Sequence, residues 1–206
     1  MRFTYPSGSG FDLDGVLVDA CEWHRLALNE ALQEVCDYAI SLDDHYETFN
    51  GIPTRVKLQI LGDMGIVSKG QHKRIYDLKQ ENTIKLIKSK AKNRIEKIEM
   101  LHSLKEQGYF LACYTNSIRL TAELMLTKTG VVHLFDKIIT NQDVTKSKPD
   151  PEGYVNLMEH FNALPNQTLI IEDSPKGFEA ARASKAKVIR VDNPDAVNIG
   201  LFRGIL

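Results

Sequence analysis

The chain has 206 residues, of which 43% are hydrophobic and 26% charged, the make-up of a soluble globular domain with room for a smaller insert. Its 26 Lys and Arg against 27 Asp and Glu leave a formal net charge of −1, so nothing in the overall charge attracts nucleic acid or an anionic membrane. No apolar run approaches the roughly 20 residues of a membrane span. Cys21, Cys36 and Cys113 lack metal-ligand spacing, so a cytoplasmic protein without a signal peptide is expected, as a monomer or weak dimer.

The first segment to carry chemistry is Phe11-Asp12-Leu13-Asp14-Gly15-Val16-Leu17-Val18-Asp19. Alternate residues of a strand share a face, which predicts Asp12 and Asp14 together at a strand's carboxyl end, with Gly15 permitting a sharp turn. Upstream, Pro6-Ser7-Gly8-Ser9-Gly10 is a poor strand former with little to bury. The open alternatives are a strand beginning near Gly10, one partly supplied by Phe3 and Tyr5, or an altered N-terminus. Next, Leu26, Ala27, Leu28, Ala31, Leu32 and Val35 recur at helical spacing. A turn-rich passage, Phe49-Asn50-Gly51-Ile52-Pro53-Thr54-Arg55, leads into a short helix over 56–61, and a longer helix is predicted over 75–87. The lysines dense from Lys69 to Lys97, mixed with Glu81, Glu96 and Glu99, read as a solvated helical face.

The pattern changes near Arg94. A helix over 95–107 stops at Gly108, and a buried strand over 109–114 ends on Thr115-Asn116-Ser117. A helix over 118–129 and a strand over 137–140 follow. Then Lys146-Ser147-Lys148-Pro149-Asp150-Pro151 leads, with Asp150 as expected N-cap and Pro151 as first helical residue, into a helix ending near Phe161. A strand over 168–171 ends on Glu172-Asp173, Ser174-Pro175 opens another helix, and the last strand covers 188–191. Strands alternating with helices imply an α/β fold with a parallel sheet, whose ligands lie beyond the carboxyl ends of the strands. The chemistry-bearing residues fall at those ends. The expected division is a catalytic core of residues 1–18 and 94–206 with an all-helical unit, 19–93, inserted after the first strand.

Paired carboxylates in such a place invite a hard cation, and Mg²⁺ is the usual choice near phosphates. The calcium-loop spacing with its distant Glu is missing. Glu172 and Asp173, two adjacent acids ending an apolar strand, would complete an oxygen-rich shell with Asp12 and the carbonyl of Asp14. A carboxylate attacking a phosphate meets repulsion of about 4 kcal/mol per charge pair at 4 Å in an intermediate dielectric. The cation and Lys148 would offset that, with Thr115 and nearby backbone N–H groups positioning the phosphoryl group and Asp14 exchanging the proton. Taken alone, Thr115-Asn116-Ser117 after a strand is more often a helix cap, and a lone loop lysine is usually solvated.

Together these residues resemble the four motifs of the haloacid dehalogenase superfamily. The segments Phe11–Asp19, Lys148-Pro-Asp-Pro-Glu-Gly-Tyr154 and Ile171-Glu-Asp-Ser-Pro-Lys-Gly-Phe-Glu-Ala-Ala-Arg-Ala183 are similar to its sugar-phosphate branch, which includes beta-phosphoglucomutase and sugar phosphatases. The resemblance implies a Rossmann-like core with a helical cap, Asp12 as nucleophile, Asp14 as acid/base, and Mg²⁺ held by Asp12, Asp14 and Asp173 with Glu172 close by. It implies a phosphorylated small molecule as substrate, contacted by His24, Arg55 and Lys79, with Asn116 and Ser117 beside Thr115. Hydrolysis through an aspartyl-phosphate is the expected activity. A mutase of the same chemistry, or a non-catalytic binding protein retaining the fold, are the alternatives.

Overall fold

The computed structural model describes residues 7–203, so Phe3 and Tyr5 lie outside the described residues. Strand β1 (Gly8–Phe11) is followed by four α-helices, α1 (Cys21–Cys36), α2 (Leu42–Asp44), α3 (Thr54–Asp63) and α4 (His72–Lys90), with a π-helical segment over His45–Phe49 after α2 and a 3₁₀ turn over Lys69–Gln71 before α4. Then come α5 (Ile95–Glu106), β2 (Phe110–Tyr114), α6 (Arg119–Lys128), β3 (Lys137–Ile139), α7 (Glu152–His160), β4 (Thr168–Glu172), α8 (Pro175–Ala183) and β5 (Lys187–Arg190). The five strands pair in parallel in the order β3-β2-β1-β4-β5, the Rossmann-like α/β sheet that the alternation implies.

Helices cover both faces of the sheet. Met100, Leu101 and Leu104 of α5 and Met125 and Leu126 of α6 pack with Phe11, Leu111 and Ile171 on one side. Tyr154 and Leu157 of α7 and Ala180 and Ala181 of α8 close the other. A separate apolar cluster joins Leu28, Ala31 and Leu32 of α1 to Leu58 and Leu61 of α3 and Ile75 of α4. No helix among the described residues is long and apolar enough to cross a membrane.

The first strand departs from the sequence reading in an informative way. It is central, and it is built from Gly8-Ser9-Gly10-Phe11, ending before the acidic pair rather than carrying it. Large neighbours supply the bulk that the glycines lack. The Phe110 ring lies where a Gly8 side chain would begin, with Phe110 Cζ only 1.9 Å from an ideal Cβ. Phe110 itself stacks on Phe161 at 3.9 Å between ring centroids. Ser9 faces the opposite, apolar side, fully buried, and its hydroxyl has no hydrogen-bond partner. Ser9→Ala is therefore expected to stabilise the protein by about 1 kcal/mol, because the lost hydroxyl was desolvated without compensation. A higher urea midpoint at unchanged slope would show it.

Other boundaries shift for local reasons. Helix α7 begins at Glu152 rather than at Pro151, and Asp150 Oδ1 accepts from the Glu152 N–H at 3.0 Å. Ser174 caps α8 as expected, accepting from Gly177 N–H at 3.1 Å with Pro175 at the first position. The lysine-dense stretch is not wholly a solvated face. Lys79 and Lys97 are buried, and Lys97 donates to the carbonyls of Pro194 and Val197.

Candidate active site

The carboxyl ends of β1, β2 and β4 converge with the loop bearing Lys148. Lys148 Nζ donates to Asp12 Oδ1 at 2.6 Å, to Glu172 Oε1 at 2.5 Å and to the Tyr114 carbonyl at 2.9 Å. The rings of Tyr114 and Tyr154 lie within 4.7 and 5.2 Å of the same ammonium, and Tyr154 O–H donates to Glu172 Oε1 at 2.5 Å. Burial works against the Lys148 charge, but Asp12 and Glu172 outweigh it and hold the ammonium above its ordinary range.

One lysine does not balance the acids around it. Carboxylate oxygens of Asp12, Glu172 and Asp173 lie within 4.8 Å of one another. Burial and the neighbouring Glu172 push the Asp12 carboxyl well above its usual range against the pull of Lys148. The same two causes push Asp173 up to about 7. Glu172 Oε2 and Asp173 Oδ1 are buried without hydrogen-bond partners. Three crowded, under-satisfied oxygen donors fit a divalent cation of the Mg²⁺ type. Gly15 is needed beside them, since its φ is +84° and an added Cβ would sit 2.1 Å from Asp173 Oδ2.

The carboxylate of Asp14 stands outside that cluster. Its Oδ2 accepts from Ser117 Oγ at 3.0 Å and Thr115 Oγ1 at 3.3 Å, and its Oδ1 meets His24 Nε2 at 3.1 Å. Lys79 Nζ lies 3.1 Å from His24 Nδ1. An ammonium donating there leaves the imidazole proton on Nε2, directed at Asp14. Burial favours a neutral Asp14, but His24 and the Ser117 hydroxyl outweigh it, and the carboxyl lies below its ordinary range. Burial and the Lys79 charge together keep the His24 imidazole neutral by lowering its pKa.

Asn116 is committed to the backbone. Its Nδ2 donates to the Gly51 carbonyl at 2.7 Å and its Oδ1 accepts from Lys148 N–H at 3.2 Å, tying the Gly51 loop to the loop of Lys148. Arg55 is exposed at the rim, with its guanidinium 5.6 Å from the Tyr76 ring centre. A cavity of about 450 Å³ brings Asp12, Asp14, Thr115, Asn116, Ser117, Lys148 and Asp173 together with His24, Arg55 and Lys79. That volume suits a small metabolite.

Sequence reasoning passes over four contributors. Tyr154 orients Glu172, and the Cys21 thiol lies 3.8 Å from Asp173 Oδ2. Lys57 and His45 also line the cavity, both buried. For Lys57 a signal exists: it falls on the apolar face of α3 beside Leu58 and Leu61, where a lysine has no packing reason to be. His45 offers none. Burial lowers the Lys57 ammonium from 10.5 to about 8. The unfolded chain then binds more protons between pH 8 and 10.5, so this lysine destabilises the fold fully below about pH 8 and progressively less above it. Lys57→Met is expected to stabilise the ligand-free protein by about 2–3 kcal/mol at pH 7, a gain that fades toward pH 10.5. Denaturant titrations of both proteins at pH 7 and 10 would measure it.

The parallel sheet, its four loops and the acidic cluster define a haloacid dehalogenase-like hydrolase. Residues 11–191 match the family model for haloacid dehalogenase-like hydrolases, and the chain belongs to that family. Phosphoglycolate phosphatase of Nitrosospira multiformis is 28% identical over 197 residues, covering 93% of this chain and 86% of that protein. Fructose-1-phosphate phosphatase YqaB of Escherichia coli is 27% identical, covering 90% and 96% respectively. Validoxylamine A 7'-phosphate phosphatase of Streptomyces hygroscopicus subsp. limoneus is 40% identical over 85 residues, a match spanning only 40% of that protein's length. Among solved structures, beta-phosphoglucomutase from Clostridium difficile shares the fold with a TM-score of 0.82 at 20% identity, covering 96% of each chain.

Proposed function

We propose that the chain is a Mg²⁺-dependent phosphatase acting in the cytoplasm on a small sugar phosphate or similar phosphometabolite, through an aspartyl-phosphate on Asp12. The observation that carries this reading is Asp12 held by Lys148 beside the buried Glu172 and the half-buried Asp173, with the hydrogen-bonded Asp14 facing the same cavity. Residues 1–18 and 94–206 form the catalytic core in this reading, and 19–93 the cap over it. Mg²⁺, held by Asp12, Asp173 and the Asp14 carbonyl with Glu172 close by, would neutralise charge on the phosphoryl oxygens.

Asp12 attacks phosphorus, the bond to the substrate oxygen breaks, and Asp14 gives that oxygen its proton. Asp14 then takes a proton from the water that cleaves the aspartyl-phosphate, which frees phosphate and restores Asp12. The resting geometry suggests how Asp14 comes to hold a proton. Thr115 and Ser117 hydroxyls that now donate to it would turn to an incoming phosphoryl group, removing two donors and placing negative charge nearby. Both changes raise its pKa.

Phosphate release from a panel of sugar phosphates and phosphorylated acids, with Mg²⁺ or with chelator, tests the reading. Release that needs the metal is expected. Metal-independent release would contradict it, and conversion of hexose 1-phosphate to 6-phosphate without release would replace it with the mutase.

A further inference from the structure

Lys57 has no task in the chemistry above, yet it is only 6% exposed and faces the same cavity as Asp12. Among the described residues its ammonium has no hydrogen-bond partner, and the distant pull of the Asp14 carboxylate does not offset its burial. Of the neighbouring cations, Lys79 lies against His24, and Arg55 is exposed at the rim with its guanidinium 5.6 Å from the Tyr76 ring centre. His45, 1% exposed, also lines the cavity, and neither of its ring nitrogens has a partner. A desolvated cation and an idle imidazole in one cavity wall are costly unless something arrives to pair with them.

We propose that Lys57 and His45 form a specificity site for a second anionic group, a carboxylate or a further phosphate, on the part of the substrate remote from the phosphoryl group. This rests on the reading of the cavity as a phosphatase site and narrows its substrate class to doubly anionic phosphate esters. The second anion pairs with the ammonium, and the imidazole N–H donates to the same group. Burial lowers the His45 pKa to about 4, so this is a neutral donor at pH 7. A substrate ending in a hydroxyl leaves the ammonium desolvated and unpaired, which is the stronger basis for discrimination.

Binding tests this without requiring turnover. The pair 3-phosphoglycerate and glycerol 3-phosphate differ at one end, carboxylate against CH₂OH, and calorimetric titration with chelator in place of Mg²⁺, where no turnover is expected, compares them directly. A bisphosphate and monophosphate of one pentose make the second arm. Wild type is expected to bind the doubly anionic member of at least one pair about ten-fold or more tightly, the scale of a charge-assisted hydrogen bond. Lys57→Met is expected to fold, since it removes a buried charge, and to abolish that preference while binding the singly anionic member as before. Lys57→Arg should retain part of it. No preference in wild type, or one that survives in Lys57→Met, overturns the inference. Selective binding without any hydrolysis once Mg²⁺ is supplied would keep this inference and reject the phosphatase reading.

Discussion

Lys148→Met is expected to lose both activity and stability. In activity, removing a preorganised donor that opposes developing negative charge lowers turnover by about 10²–10³-fold. In stability, the substitution strands Asp12 and Glu172, which are 6% and 0% exposed, beside Asp173 with no cation among them. Breaking a buried ion pair from one side costs about 3–5 kcal/mol. The deficit depends on pH with a definite sign. The pKa values of Asp12 and Asp173 are already raised in the folded protein, and loss of Lys148 raises them further. A carboxyl raised on folding loses stability as pH climbs from its unfolded value through its folded one. The gap between variant and wild type should therefore be small near pH 4 and largest above pH 7. Urea midpoints at the two pH values measure it, and added Mg²⁺ should narrow the gap at the higher one.

Asp14→Asn separates the two halves of the proposed reaction. With no proton to give or take, turnover of an alkyl phosphate should fall about 10²–10⁴-fold. An aryl phosphate with an acidic phenol needs no proton for its leaving group, so the first step survives. Rapid mixing should then show one equivalent of phenolate released quickly, followed by a slow steady state limited by the missing base. Equal impairment of both phases would remove Asp14 from the acid/base role. The fold should tolerate the change, because Asn retains the side chain's shape and an oxygen for Ser117.

Much of the architecture is legible because the strongest signals are local. Apolar runs bounded by glycine and capping residues mark β2 and β4, and Ser174-Pro175 marks the start of α8. The acidic pair, Lys148 and Glu172-Asp173 stand out as charges at the ends of apolar strands. The first strand is misread because its stability comes from elsewhere: Phe110 fills the space over Gly8, a contact between residues about a hundred positions apart that propensity does not register. Asn116 reads as a ligand group but spends its amide on Gly51 and Lys148, since the partners of an amide depend on which loops meet. Lys57 carries a signal, a lone lysine on the apolar face of α3, whereas His45 carries none, because only the packing of the helices turns its ring inward.

The central claim is that Asp12 carries the phosphoryl group. Borohydride added during turnover reduces an aspartyl-phosphate to homoserine, and peptide mass spectrometry locates the altered residue. The account predicts homoserine at position 12, dependent on substrate and Mg²⁺, and more abundant in Asp14→Asn, where the second step is slowed. Phosphate released at full rate with position 12 unmodified, or modification at another carboxylate, would contradict it.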